Sequence, residues 1–175
     1  MEQAFLSDSA PEVFEVVQQL QAFCIQRGIT LAVAESLTAG LIGATLAQVP
    51  GSSAYFLGGV ICYNAEVKRK VLGVDSEIIE RYGVVSRMCA EAMARGVRRV
   101  CDATVSLAVT GEAGPLVAQR GTEVGTVWVA VSLGNEVVSH DLSLNGNRNR
   151  IRELTATQSI ALLYQTISAH GAVRT

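Results

Sequence analysis

Apolar residues recur along the chain in two patterns, one typical of helices and one typical of buried strands. Between Pro11 and Gly28 they fall at helical spacing on one stripe, which predicts a first helix. The apolar run that starts at Leu31 instead predicts a buried strand, and a helical pattern follows Gly40. Residues 31–48 therefore predict a strand, a tight turn and a helix.

The same two patterns continue to the end of the chain. They predict, in order, a strand over 54–63, helices over 64–72, 76–81 and 87–100, a strand over 102–110, a hairpin of strands over 125–132 and 136–143, and a helix from about 148. Helices before and after a central apolar sheet, together with one hairpin, predict a single-domain α/β fold of three layers, α/β/α, with a mixed sheet. That domain is expected over residues 11–170, behind a flexible arm over residues 1–10, which show no periodicity.

Length and composition narrow the class of protein. With 175 residues, of which 49% are hydrophobic, the chain is long enough to bury one sizeable core. No apolar run approaches the roughly 18 residues that a membrane-spanning helix needs, so we expect no membrane partner. The net charge of −2 provides no general basic field, so we expect no nucleic-acid partner either.

Cysteine and histidine content limits the kinds of active site and metal site that the chain can form. The four cysteines stand far apart in apolar surroundings without a Cys-x-x-Cys pair, which is typical of free thiols in a reducing cytoplasm, where we expect the protein. No cluster of His, Cys or carboxylate residues has metal-ligand spacing, so we expect no metal and no cofactor. Of the two histidines, His170 lies among the last residues and His140 lies within a strand-like alternation. We therefore expect any hydrolytic base to be something other than histidine.

The predicted turn after the first strand places Ser36 where a strand ends and a helix begins. At a helix N-terminus the first backbone N–H groups lack partners and the dipole is positive, so an oxyanion or a phosphate would be stabilised there. A nucleophilic serine is well placed at such a turn. The alternative is that Ser36 or Thr38 only caps the helix, and spacing alone favours that interpretation.

Tyr63 and Lys68 stand at the end of the second predicted strand and the start of the helix after it. If the first two strands are neighbours, both side chains can meet Ser36 above one edge of the sheet, the usual site in open α/β sheets. Lysine can take the proton of a serine when burial or nearby positive charge lowers its pKa from about 10.4. The alternative is a solvated face, because other charged residues surround Lys68 and buried lysine is rare.

A set of motifs lies in order along the chain. It comprises Ala34-Glu-Ser-Leu-Thr-Ala-Gly40, Pro50-Gly-Ser-Ser53, Phe56-x-x-Gly59-Val60, Tyr63 with Lys68, Gly73-Val74, Tyr82-Gly-Val-Val-Ser86, Thr110-Gly-x-Ala-Gly-Pro115 and Val124-Gly-Thr-Val-Trp128. In this order and spacing the set resembles the CinA-like family, the C-terminal domain of competence-damage-inducible proteins, which also occurs alone as nicotinamide-mononucleotide deamidase. The resemblance covers about residues 12–168.

The resemblance implies a three-layer α/β/α fold and hydrolysis of the carboxamide of nicotinamide mononucleotide to nicotinate mononucleotide and ammonia. Carried over residue by residue, it implies that Ser36 is the nucleophile, Lys68 the general base and Tyr63 an accompanying hydroxyl. The partner it implies is a small pyridine mononucleotide, without a cofactor. Because the family tends to associate, the resemblance also implies a homo-oligomer.

Further residues are assigned to substrate binding. They are Thr38, Ala39, Gly40, Thr110, Gly111, Gly114 and Arg148. The turn over 110–115 corresponds to a substrate-site loop of the family, whereas the backbone N–H groups of residues 38–40 would suit an oxyanion on geometric grounds. Glu112 would repel a nearby phosphate unless Arg120 or Arg148 neutralises it.

The chain departs from the family pattern near the presumed pocket. The departures are Ala39 in place of a second glycine, Ala65 in place of a polar residue, Glu112 in place of an aliphatic residue, an altered loop over 116–123, and Asn147 in place of aspartate. Because these changes fall near the pocket rather than in the core, they favour an altered substrate or lost activity. The alternative function is therefore a catalytically silent paralogue that binds a nucleotide or a protein partner.

Overall fold

The computed structural model describes residues 10–115 and 122–170. The predicted arm over 1–10 therefore lies outside the described residues except for Ala10, and so does most of the altered loop over 116–123. The elements are helix α1 Ala10–Arg27, strand β1 Leu31–Glu35, helix α2 Leu41–Leu46, a 3-10 turn Ser52–Ala54, strand β2 Phe56–Ile61, helices α3 Ala65–Lys70, α4 Ser76–Tyr82 and α5 Arg87–Val100, strands β3 Val105–Gly111, β4 Thr126–Leu133 and β5 Glu136–Ser143, and helix α6 Arg148–Ala169.

The five strands form one mixed sheet in the order β2-β1-β3-β4-β5. β1 runs parallel to both β2 and β3, with Glu35 opposite Ile61 on one side and Val109 on the other. The pairs β3–β4 and β4–β5 are antiparallel, so the predicted hairpin closes one side of the sheet. His140 lies in β5 opposite Val129, as the alternation predicts.

Helices cover both faces of the sheet and confirm the predicted three-layer fold. α1, α2 and α6 pack on one face over large aliphatic side chains such as Leu20, Ile160 and Leu163. α5 packs on the other face, where small residues allow a close approach. On the other side of α5, a Cβ atom at Gly96 would lie 2.1 Å from the carbonyl oxygen of Leu72, so this glycine allows the segment after α3 to pack closely on the helix. None of the helices within 10–115 and 122–170 is long and apolar enough to cross a membrane.

Side-chain caps begin four of the helices, and the helix after Ser36 is an exception. Asn64, Asp75 and Ser86 accept N–H bonds at the starts of α3, α4 and α5. Asn147 likewise caps α6, so an asparagine there fills the capping role that aspartate also suits. The N-cap of α2 is Gly40, which makes no side-chain cap bond, so neither Ser36 nor Thr38 caps that helix.

The parallel strands β1, β2 and β3 end at the same edge of the sheet. The segments that follow them, residues 36–40, 62–64 and 112–115, therefore meet at this edge. The candidate site is built from these three segments, from α3 and from the start of α6.

Candidate active site

Ser36 and Lys68 are in direct contact. The Nζ atom of Lys68 lies 2.9 Å from the Oγ atom of Ser36, and it also donates to the carbonyl oxygen of Cys62. Lys68 is 1% exposed and Ser36 8% exposed. The solvated-face interpretation of Lys68 is therefore wrong, because α3 turns this one charged side chain inward while residues 66, 69 and 70 form exposed ion pairs.

The environment of Lys68 makes its neutral amine form easier to reach than that of a solvated lysine. Burial lowers the pKa of Lys68 below its usual value, and the nearby thiols of Cys62 and Cys89 oppose this only in part. Burial also raises the pKa of both thiols, that of Cys89 to about 11, so they remain protonated near neutral pH. An amine without its proton carries a lone pair, which a general base requires.

Glu35 is a site residue that the sequence analysis did not identify. Its carboxylate is buried, at 2% exposure, and accepts three backbone N–H bonds at the start of α2. The donors are Gly40 at 2.8 Å, Ile42 at 3.1 Å and Gly43 at 2.8 Å. The carboxylate therefore occupies the positive end of this helix, as a capping anion does. The signal in the sequence was an acidic residue directly before the turn.

The hydrogen bonds of this turn correct the oxyanion assignment of Ala39 and Gly40. The N–H of Gly40 is bound to Glu35, and the N–H of Ala39 donates to the carbonyl oxygen of Ser36 at 3.2 Å. Both groups are engaged within the protein and are not available to an oxyanion. Thr38 is fully buried, and its hydroxyl has no hydrogen-bond partner among the described residues.

Tyr63 belongs to a second part of the site, together with Arg148. Arg148 donates to the hydroxyl of Tyr63 and to the carbonyl oxygen of Gly114. The Tyr63 side chain is 56% exposed, so it lies at the mouth of the site rather than beside the buried amine. Within the described residues, no hydrogen bond joins the Tyr63 hydroxyl to Ser36 or Lys68, so this arrangement provides no proton relay through Tyr63.

The turn over 110–115 forms one wall of the site. The Thr110 hydroxyl donates to the carbonyl oxygen of Val84 at 2.7 Å, and the carboxylate of Glu112 accepts the N–H of Gly114 at 2.9 Å. At Gly111 a Cβ atom would lie 2.7 Å from the carbonyl oxygen of Thr126. The small residues of this turn therefore allow close backbone packing, and no ligand is needed to explain them.

Among residues 10–115 and 122–170, no three His, Cys, Asp or Glu side chains are grouped as metal ligands would be. The chemistry that the arrangement supports is nucleophilic attack by a serine whose base is an amine.

Replacing Glu35 with alanine is expected to lower the free energy of unfolding by about 3 kcal/mol, because buried N–H groups at the start of α2 lose their acceptor. Urea unfolding followed by circular dichroism measures this loss. The matched control is Glu153→Ala on the exposed side of α6, which should change stability by about 0.5 kcal/mol or less. Equal losses in the two variants would contradict the anchoring role of Glu35.

The chain matches the family model of the CinA C-terminal domain over residues 14–167. A putative competence-damage inducible protein of Desulforudis audaxviator is 45% identical to it over 139 residues, which make up 79% of this chain and 34% of that protein. The chain thus spans about a third of the length of the curated relatives that it matches first.

Solved structures agree with this match. The competence damage-inducible protein A (ComA) from Klebsiella pneumoniae superimposes with a TM-score of 0.87 at 28% identity, covering 89% of this chain and 97% of that one. The competence/damage inducible protein CihA from Agrobacterium tumefaciens gives a TM-score of 0.85 at 31% identity, with 91% and 98% covered. The similarity extends over nearly the whole of both solved chains.

Proposed function

Since the chain belongs to the family of the CinA C-terminal domain, we propose that it is an amidohydrolase that converts nicotinamide mononucleotide to nicotinate mononucleotide and ammonia. The observation that carries this proposal is the 2.9 Å contact between the buried amine of Lys68 and the hydroxyl of Ser36. Burying a lysine side chain costs free energy, so a fully buried lysine is rare and indicates a specific role. A base beside a serine is the arrangement that activates this nucleophile.

The reaction begins with the neutral amine of Lys68. One of its N–H groups donates to the Cys62 carbonyl, so its lone pair can accept the proton of the Ser36 hydroxyl. The Oγ atom then forms a bond to the carboxamide carbon and gives a tetrahedral intermediate. The ammonium of Lys68 returns the proton to the amide nitrogen, the C–N bond breaks, and ammonia leaves.

The second half of the reaction releases the acid. The acyl group is now an ester on Ser36, and Lys68 is again neutral. Lys68 takes a proton from water while the water oxygen attacks the ester carbon, and it then gives that proton to the departing Oγ atom. The products are nicotinate mononucleotide and the free serine.

The oxyanion of the tetrahedral intermediate needs a positive partner. Because the N–H groups of Ala39 and Gly40 are engaged within the protein, we assign this role to the ammonium of Lys68, which is charged only while the intermediate exists.

We assign the phosphate of the substrate to Arg148. Its guanidinium is bound to a phenol and a carbonyl, and it has no carboxylate partner among the described residues. No described carboxylate therefore neutralises its charge, and a phosphate at the mouth would be a stronger acceptor than either group.

The direct test is to incubate the purified protein with nicotinamide mononucleotide and to measure ammonia and nicotinate mononucleotide in equal amounts. Ammonia release no faster than that of a Ser36→Ala variant would refute the proposal. If calorimetry then showed binding of the mononucleotide without turnover, the silent-paralogue alternative would be supported instead.

Replacing Arg148 with methionine is expected to raise the KM for nicotinamide mononucleotide by about 10- to 100-fold, the value of a charge-assisted bond to phosphate. The kcat should change little, because the guanidinium does not contact the reacting atoms. Nicotinamide riboside, which lacks the phosphate, is the control substrate, and its kcat/KM should be the same in both proteins. Parallel losses with both substrates would contradict a phosphate-binding role.

A further inference from the structure

The turn that carries Ser36 is also held by helix α6. We define the nucleophile turn as residues 36–40. Arg152 of α6 donates from its Nε atom to the carbonyl oxygen of Leu37 at 2.9 Å and from its Nη2 atom to that of Thr38 at 3.0 Å. One guanidinium thus binds two successive peptide carbonyls of the nucleophile turn.

These two hydrogen bonds fix the orientation of two successive peptide groups in the nucleophile turn. A guanidinium is planar and presents its Nε and Nη2 donors along one edge, so two acceptors on that edge must lie close to one plane. Lysine, a point charge on a flexible stem, cannot impose this restraint. Arg152 has no carboxylate partner among the described residues, so its hydrogen bonds are made to the turn.

The turn needs such a restraint. Ala39 has a φ of 50°, a left-handed conformation that is unfavourable for a residue with a side chain. Glu35 binds the N–H groups at the end of the turn, whereas Arg152 binds the carbonyl groups in its middle. Two side chains of opposite charge therefore hold the two kinds of backbone polar group.

The place of Arg152 on α6 adds a second argument. Arg148 and Arg152 are four residues apart, so they lie on the same face of the helix. Arg148 contacts Tyr63, which follows β2, and Gly114, which follows β3, while Arg152 contacts the turn that follows β1. The start of α6 thus joins the segments after all three parallel strands.

We propose that Arg152 is a positioning residue for the reaction: it holds the nucleophile turn so that the Ser36 hydroxyl lies within hydrogen-bond distance of the Lys68 amine. This inference rests on the proposed function insofar as Ser36 is the nucleophile. It does not depend on which amide is the substrate.

The test compares Arg152→Met and Arg152→Lys with the wild type in two assays. The first measures kcat and KM for nicotinamide mononucleotide. The second measures the rate at which a fluorophosphonate, which phosphonylates an activated serine with loss of fluoride, labels Ser36, as followed by mass spectrometry of the intact protein and its peptides. The matched control is Arg95→Met, which removes an exposed guanidinium that also donates to a backbone carbonyl, that of Asn135.

Arg152→Met is expected to lower both kcat and the labelling rate by about 100-fold, because a displacement of about 1 Å at the nucleophile has an effect of this size. The KM should change by less than about threefold, because the hydrogen bonds of Arg152 are made to the nucleophile turn and its role is to position that turn. Arg152→Lys, which keeps the positive charge, should recover only a small part of the rate. Added methylguanidine should restore part of the activity of Arg152→Met but none of that of Ser36→Ala.

The outcomes separate the two proposals. Labelling of Ser36 without ammonia release would refute the substrate but leave the role of Arg152 to be decided by the labelling rates. Wild-type labelling rates in Arg152→Lys and in folded Arg152→Met would refute the positioning role. A wild-type protein that is not labelled at Ser36 would refute the nucleophile and the positioning role together.

Discussion

Replacing Ser36 with alanine is expected to abolish ammonia release from nicotinamide mononucleotide, with a loss of about 10⁴-fold or more in kcat. Without the Oγ atom no acyl-enzyme can form, and the Lys68 amine has no proton to remove from this position. The KM should stay within a few fold of the wild-type value, since this variant leaves the proposed phosphate-binding residue Arg148 unchanged. Steady-state kinetics with a coupled ammonia assay provide both values.

The control for this variant is Ser53→Ala, which removes a hydroxyl from an exposed serine on the 3-10 turn. It should retain wild-type kinetics. Calorimetry should show that Ser36→Ala still binds the mononucleotide, so that the loss lies in the chemical step. Residual turnover within tenfold of the wild type would mean that Ser36 forms no covalent intermediate.

Replacing Lys68 with methionine is expected to lower kcat by about 10³-fold, within the range found for general bases. Lys68→Arg should be equally slow, because a guanidinium keeps its proton and cannot act as a base. In the wild type, activity should rise with pH through the lowered pKa of Lys68, below the ordinary lysine value of 10.5, since only the neutral amine is active. A wild-type profile without this limb would contradict the role of Lys68.

The same lowered pKa makes stability depend on pH, and the sign follows from linkage. Between the pKa of Lys68 in the folded protein and its value of 10.5 in the unfolded chain, the unfolded state binds more protons, so the free energy of unfolding rises with pH. Lys68→Met lacks this contribution, so the wild type should gain stability relative to it as the pH rises toward 10. Lys70→Met, at a side chain that is 75% exposed, is the control and should follow the wild-type slope.

The sequence predicted the elements and the central pair of the site because both depend on local patterns. Apolar spacing determined the order of strands and helices, and the ends of two strands brought Ser36 and Lys68 to one edge. The burial of Lys68 was harder to predict, since its charged neighbours favour an exposed face. Only the rotation of α3 against the sheet decides which of these side chains points inward.

The contacts that the sequence analysis missed join segments that are distant along the chain or depend on side-chain direction. Arg152 donates to a turn 114 residues before it in the sequence, and no local pattern predicts such a contact. The strand ends predicted that Tyr63 meets Ser36 together with Lys68, but its hydroxyl bonds to Arg148, 85 residues later. Glu35 was not predicted because its role depends on the backbone N–H groups at the start of α2, and the sequence does not show that these groups lie beside its carboxylate.

Glu35 and Ser36 follow one another at the end of β1, and successive residues of a strand face opposite sides of a sheet. Glu35 lies on the face of the sheet that also carries Leu31 and Val33, and it contacts α2. Ser36 lies on the opposite face, with Ala32 and Ala34, and it contacts Lys68. Inserting or deleting one residue in this strand would exchange the two sides. The carboxylate of Glu35 would then face the Lys68 amine and keep it protonated, while the Ser36 hydroxyl would face the other side of the sheet. Catalysis would be lost through a shift of one residue, although every functional group would still be present.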